Sequence, residues 1–210
     1  MNAFAFLAVA LVLAAAFGNW TAVASENKGL EYICKPAVML LLIALALAID
    51  PQDPAARGWF VAALAFSLAG DVFLMLPKDM FVLGLGAFLV AHLAYIVGMV
   101  VEGVHAGQLL AGIVVVTIGI LVLGTQIVRA AYAAEPAMAI PVMAYIGVIS
   151  AMVVAAIGTG EPVAIGGALL FYASDALIGW TRFVRPTSWA PVTIMVTYHL
   201  GQLALVLSLI

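Results

Sequence analysis

Apolar runs of about 20 residues recur along the whole chain, and that length is what one membrane-crossing helix requires. Eight such segments can be drawn, at 3–24, 31–49, 57–77, 80–101, 107–129, 137–158, 162–182 and 188–210. The breaks between them carry turn chemistry or charge, as in Asp50-Pro51-Gln52-Asp53-Pro54, Pro77-Lys78-Asp79, Glu135-Pro136 and Arg185-Pro186-Thr187-Ser188. The chain is 67% hydrophobic and 8% charged, whereas a soluble domain carries roughly 25% charged residues. One core of this size cannot hide that surplus, so the remainder faces lipid. The expected fold is all-α: a polytopic bundle of about eight transmembrane helices forming a single transmembrane domain over 1–210. The loops leave no room for a soluble domain, so function must reside in the helices and their mouths. Helical spans exclude an outer-membrane barrel.

Other global features exclude more than they identify. A net charge of −3 gives no reason to expect nucleic acid as a partner. Cys34 is the sole cysteine and cannot form an intramolecular disulfide. Ala22-Val23-Ala24 resembles a signal-peptide cleavage site, but no Lys or Arg precedes Lys28, so the first run reads as a retained helix.

Lys and Arg placement sets an expected orientation. With eight spans, Lys28, Lys35, Lys78, Arg129, Arg182 and Arg185 fall near the loops after the odd-numbered helices, and only Arg57 falls on the other side. Six against one puts the odd-numbered loops in the cytoplasm and both termini outside. The expected location is the inner or plasma membrane of a bacterium.

Two carboxylates break the apolar pattern. Asp71 sits in Ser67-Leu68-Ala69-Gly70-Asp71, with no other charge between Arg57 and Lys78, and Asp175 ends Tyr172-Ala173-Ser174-Asp175. An ionisable group at that depth is costly in hydrocarbon, so each is a candidate functional residue. Helix orientation places both, with Lys35, His92, Tyr198 and Gln202, between the cytoplasmic face and the midplane, which a common cavity opening to the cytoplasm would explain. Two adjacent carboxyl groups can share one proton, giving one acid and one carboxylate. Lys35 could pair with one of them or reach the headgroups by snorkelling. A weak internal repeat accompanies the pair. Asp71 and Lys78 are seven apart, as are Asp175 and Arg182, and each acid precedes a histidine in the next helix, His92 and His199. Two parallel four-helix repeats would produce this pattern.

On the fourth helix Phe81, Gly84, Phe88, His92 and Tyr95 fall within an arc of roughly 80°, a packing face that carries one histidine. Beside two buried acids, His92 is a third candidate catalytic residue. No zinc-binding histidine pair, nucleophile elbow or phosphate-binding glycine loop occurs, and no metal or cofactor is expected. Trp20, Trp59, Trp180 and Trp189 lie near span ends and read as interface anchors.

The ordered motifs resemble those of a known family. They are Lys35-Pro36 in the second helix, Ser67-x-x-Gly70-Asp71 in the third and Phe81-x-x-Gly84-x-x-x-Phe88-x-x-x-His92-x-x-Tyr95 in the fourth. Gly167-Ala168 and Phe171-x-x-Ser174-Asp175 mark the seventh, and Tyr198-x-x-x-Gln202 the eighth. From about Lys35 to the end, the chain resembles the YhhN family of small polytopic membrane proteins, whose animal members are the TMEM86 lysoplasmalogenases. One departure is His199, to which no catalytic role is carried over.

The resemblance implies an eight-helix fold and hydrolysis of the vinyl ether bond of lysoplasmalogens. The products would be a fatty aldehyde and glycerophosphoethanolamine or glycerophosphocholine. The partners are then a lysophospholipid substrate and the bilayer. Vinyl ether hydrolysis needs a positioned acid and a nearby negative charge, with no metal or cofactor. Asp71 and Asp175 would fill these roles, one protonating the alkene carbon and the other steadying the cation. His92 and Tyr95 would position water or the acid, and Lys35 with Arg182 would meet the lipid phosphate. Ser174, Tyr198 and Gln202 complete the expected substrate-binding set. The main rival is a proton-coupled transporter of a small molecule or lipid, since buried acids and histidines also make proton relays. A metal-dependent hydrolase and a non-catalytic lipid-binding protein are further alternatives.

Overall fold

The computed structural model describes residues 3–210. Eight helices follow one another: α1 (Ala3–Ala24), α2 (Lys28–Ala48), α3 (Pro54–Met75), α4 (Phe81–Glu102), α5 (Ala106–Ala134), α6 (Pro136–Thr159), α7 (Pro162–Val184) and α8 (Ala190–Leu207). All eight are long and apolar enough to cross a membrane, and no strand occurs among the described residues. Large apolar side chains stand outward, among them Phe6, Ile33, Leu110 and Ile140, each more than 60% exposed. Such a surface requires lipid around it, and the chain is an integral multi-pass membrane protein.

Local chemistry sets the helix ends. Asn27 accepts a bond from the Leu30 N–H at 3.1 Å and so starts α2. The first turn of α2 also holds the Lys28–Glu31 pair at 2.8 Å. The sequence pattern starts this helix at residue 31 because charged residues look like loop; an N-cap and a pair at the membrane edge suit a helix terminus equally well. Lys35-Pro36 therefore lies two turns inside α2, not in its first turn, and Lys35 is buried. Asp53 caps α3 by accepting from Ala55 and Ala56 N–H at 2.6 and 3.2 Å, with Pro54 as the first helical residue. Helix α5 runs five residues past the expected 129 and ends only where Pro136 constrains Glu135. Two helices contain a π turn, Ile120–Gly124 in α5 and Trp180–Val184 in α7.

The helices pack mainly with their chain neighbours, as α1 with α2, α3 with α4 and α7 with α8, while α4 crosses to α6 and α8 returns to α1 and α2. One continuous core takes side chains from all eight. Two contacts at glycines bring helices close beside the polar residues. A Cβ on Gly70 would lie 2.6 Å from the Phe88 ring, which fixes α3 against α4 beside Asp71. Where α7 meets α8, a Cβ on Gly167 would lie 2.9 Å from the Gly201 carbonyl oxygen, and one on Gly201 2.9 Å from that of Gly167. Only residues without side chains permit this approach.

Candidate active site

Asp71 sits near the C-terminal end of α3, with its side chain 2% exposed. The Lys35 ammonium approaches its Oδ1 at 3.1 Å from α2. The Tyr198 hydroxyl donates to its Oδ2 at 2.7 Å from α8, and Met39 Sδ lies 3.3 Å from the same hydroxyl. A buried carboxylate needs a paired cation and hydrogen-bond donors, and Asp71 has both. Lys35 is 6% exposed at its side chain and is held inside the bundle by this pair.

Asp175 is held differently. The Tyr145 hydroxyl donates to its Oδ2 from α6, and His92 Nε2 in α4 stands 3.8 Å from that oxygen. That is beyond direct hydrogen-bond distance, but close enough for one water to touch both groups. No Lys or Arg pairs with Asp175 among the described residues. Its side chain is 8% exposed, and the exposure faces a cavity.

That cavity is open on one side, and its empty space, the open side included, comes to about 720 Å³. Its walls are apolar, with Leu74 from α3, Phe81 and Phe88 from α4, Ile127 from α5, Ile149 from α6 and Phe183 from α7. The polar side chains in its lining are Tyr145, Tyr172 and Asp175. The arrangement sets one carboxyl group in an otherwise apolar wall.

An aromatic layer separates the two acids. Phe171 lies with its ring centroid 4.7 Å from His92 and 5.1 Å from Tyr198, and Phe88 closes on Tyr198 at 5.8 Å. Asp71 and Asp175 each accept from a tyrosine of their own and share no hydrogen bond. The contacts follow one plan in both halves. Asp71 in α3 is held from α2 and α8; Asp175 in α7 is held from α6 and α4. Shifting every helix by four places converts one set into the other.

The remaining expected residues fall outside the cavity lining. Tyr95 donates to Gln202 Oε1, and both are fully buried behind Tyr198. Ser174 bonds the Ile194 carbonyl at 3.1 Å and fastens α7 to α8. Arg182 is partly exposed, pairs with Asp79 at 2.9 Å and lies over the Phe81 ring at 3.9 Å. That guanidinium, followed by the Phe81 backbone N–H, holds the Asp79 carboxyl below its ordinary value of 3.8. Phe81 and Phe183 meet edge to face at 5.7 Å, so Arg182 sits over the end of the cavity.

Two partners escaped the sequence reading. Tyr145 looks like any tyrosine in an apolar helix, and only the parallel between α2 and α6 could have pointed to it as the counterpart of Lys35. Trp20, read as an interface anchor, donates its indole N–H to His199 Nδ1 at 3.0 Å and ties α1 to α8. His199 thus has a structural partner away from the cavity. Among the described residues, no three His, Cys, Asp or Glu side chains are grouped so as to hold a metal.

Several known proteins are similar to this chain in sequence. The chain is 35% identical over 146 residues to the lysoplasmalogenase TMEM86B of Homo sapiens, which covers 70% of this chain and 61% of the human protein. It is 32% identical over 176 residues to TMEM86B of Mus musculus, covering 83% and 72%. It is 33% identical over 175 residues to a lysoplasmalogenase of Mycobacterium tuberculosis, covering 80% and 66%. The chain thus spans about three fifths of the human relative's length. No solved structure matches significantly. The YhhN family model matches residues 30–209, nearly the whole bundle from the first turn of α2 onward, and the chain belongs to that family.

Proposed function

We propose that this protein is a membrane-embedded hydrolase that cleaves the vinyl ether bond of lysoplasmalogen-type lipids, with Asp175 as the general acid. The observation that carries this reading is the placement of a single carboxyl group in the wall of an otherwise apolar cavity. Relatives named lysoplasmalogenase support the substrate class.

The alkenyl chain lies in the cavity. Asp175 transfers a proton to the alkene carbon remote from the ether oxygen, and the positive charge spreads over the other carbon and that oxygen. The resulting Asp175 carboxylate faces the cation and stabilises it. Water held between His92 and Asp175 adds to the cationic carbon and returns a proton to Asp175. The hemiacetal then collapses to a fatty aldehyde, and the glycerol oxygen leaves with a proton as glycerophosphoethanolamine or glycerophosphocholine. Tyr145 orients the acid.

Asp71 supports the site from outside the cavity. Its pair with Lys35 is a carboxylate with an ammonium, whereas an unpaired charge on Asp175 would be costly at that depth. This asymmetry supports Asp175 as the proton donor. Through Tyr198, Asp71 also braces Phe88 and Phe171, and Tyr95 with Gln202 braces Tyr198 in turn. Arg182, over the end of the cavity, is placed to exchange Asp79 for a lipid phosphate.

The cavity mouth faces the cytoplasm and both termini lie outside, on the bias of Lys and Arg toward one set of loops. Purified protein incubated with lysoplasmalogen tests the activity directly. Aldehyde release that depends on Asp175 supports the reading; absence of aldehyde from the wild type would refute it and return the proton-coupled carrier to first place.

A further inference from the structure

A second recess opens on the lipid-facing side of the bundle, between the π turn of α5 and α6. Ile120, Gly124 and Val128 form one side, Met143, Ile146 and Gly147 the other, and Arg129 stands at its edge. Gly124 and Ile146 line both this groove and the cavity that holds Asp175. The partition between them is thin because Gly124 has no side chain; the Ile120 and Ile146 methyl groups lie 3.6 Å from where its Cβ would be. The Ile146 side chain stands between the two spaces, lining each. The π turn, a local departure common at functional sites, spaces α5 at this level.

Arg129 is exposed and has no ion-pair or hydrogen-bond partner among the described residues, unlike Arg182, which Asp79 occupies. It lies five residues beyond Gly124 toward the end of α5, or about 7–8 Å along the axis. A long flexible cation at that position can reach the headgroup layer. An apolar groove inside the span, adjoining the cavity and edged by a free cation, fits one occupant: a lipid with one chain and a phosphate.

We infer that the groove between α5 and α6 is the portal through which the lipid chain passes sideways from the bilayer into the cavity, with Arg129 engaging the phosphate on the way. This rests on the hydrolase reading above and adds the route and the phosphate contact.

A plug in the portal tests it. A Cβ on Gly147 meets nothing within 4 Å, so Gly147→Trp can lay an indole in the groove without disturbing the helix contacts. With a long-chain lysoplasmalogen in phosphatidylcholine vesicles, Gly147→Trp should lower kcat/KM by about tenfold or more. With a short-chain, water-soluble vinyl ether it should leave turnover unchanged, which also shows that the variant is folded. Arg129→Ala should lower kcat/KM for the long-chain lipid by about tenfold, with Arg129→Lys recovering most of it. Unchanged turnover of both substrates by Gly147→Trp would overturn the portal. If that variant loses both activities, wild-type protein decides the matter with a lysophospholipid carrying a photoreactive chain. Labelling of 120–128 and 143–147 supports the portal, and labelling confined elsewhere overturns it. Wild-type protein inactive on both substrates would instead refute the hydrolase reading.

Discussion

Tyr145 and Asp175, thirty residues apart in sequence, meet across the interface of α6 and α7, the phenol donating to the carboxyl group at the cavity wall. The pair occupies Oδ2 of the acid, and Asp175 lines the cavity. Asp175→Asn keeps the shape and removes the transferable proton. It should lower kcat by about 10²–10⁴-fold, the usual worth of a positioned general acid. Tyr145→Phe should lower kcat by about tenfold with little change in KM, as expected when an orienting group is lost. Aldehyde release by purified variants checks both; near-normal turnover by Asp175→Asn would remove Asp175 from the mechanism.

The ion pair of Lys35 and Asp71 predicts a different signature. Removing one member strands a buried charge at a cost of about 3–5 kcal/mol. Lys35→Met and Asp71→Asn should each lower the thermal midpoint in detergent, and the double variant should recover much of the loss. An Asp71→Asn protein that is as stable as wild type but inactive would place Asp71 in the chemistry instead.

Where α7 and α8 touch through Gly167 and Gly201, no side chain fits. A methyl at position 201 would sit 2.9 Å from the Gly167 carbonyl oxygen and 3.0 Å from the Phe171 nitrogen, both backbone atoms that cannot swing aside. Gly201→Ala should therefore destabilise by about 1–3 kcal/mol. It should also reduce activity, because the same contact positions Tyr198 and Phe171. Gly147→Ala, in open space, is the matched control in the same melting experiment.

Asp79 should titrate below 3.8 in the folded protein, because Arg182 and the Phe81 N–H favour its charged form. A group depressed in this way contributes above its unfolded value and loses that contribution as pH falls through the folded one. Carbon-detected NMR on labelled protein should show the low midpoint, and Arg182→Gln should raise it toward 3.8. Since Asp79 is exposed, the melting temperature should barely follow this titration.

A reporter fused after Ile210 should be active only outside the cytoplasm. With Lys35 buried in its ion pair, Lys28, Lys78, Arg129, Arg182 and Arg185 remain on one side against Arg57 on the other, and the orientation bias persists.

The spans were legible in the sequence because lipid demands long apolar helices and tolerates polar residues only between them. Asp71, Asp175 and His92 were legible for the same reason, each standing out against apolar neighbours. Their partners were not. Lys35 to Asp71, Tyr145 to Asp175 and Trp20 to His199 are contacts between helices, and their choice depends on how each helix is rotated about its axis. Hydropathy leaves that rotation open when lipid and core are almost equally apolar. Depth was readable from loops and charges; facing was not. Hence Lys35 could be expected at a headgroup when its helix, begun earlier by Asn27, carries it inward to a carboxylate.

The four-place shift that relates the surroundings of Asp71 to those of Asp175 has a chemical consequence. Equivalent positions in the two halves receive unlike companions, an ammonium in one and a phenol in the other. One plan of contacts thus sets an ammonium beside one acid and a phenol beside the other, with Phe171 packed between His92 and Tyr198. Exchanging the companions, with a lysine opposite Asp175 and a tyrosine opposite Asp71, would be expected to move the proton donor to the other half of the bundle, away from the cavity that makes it useful.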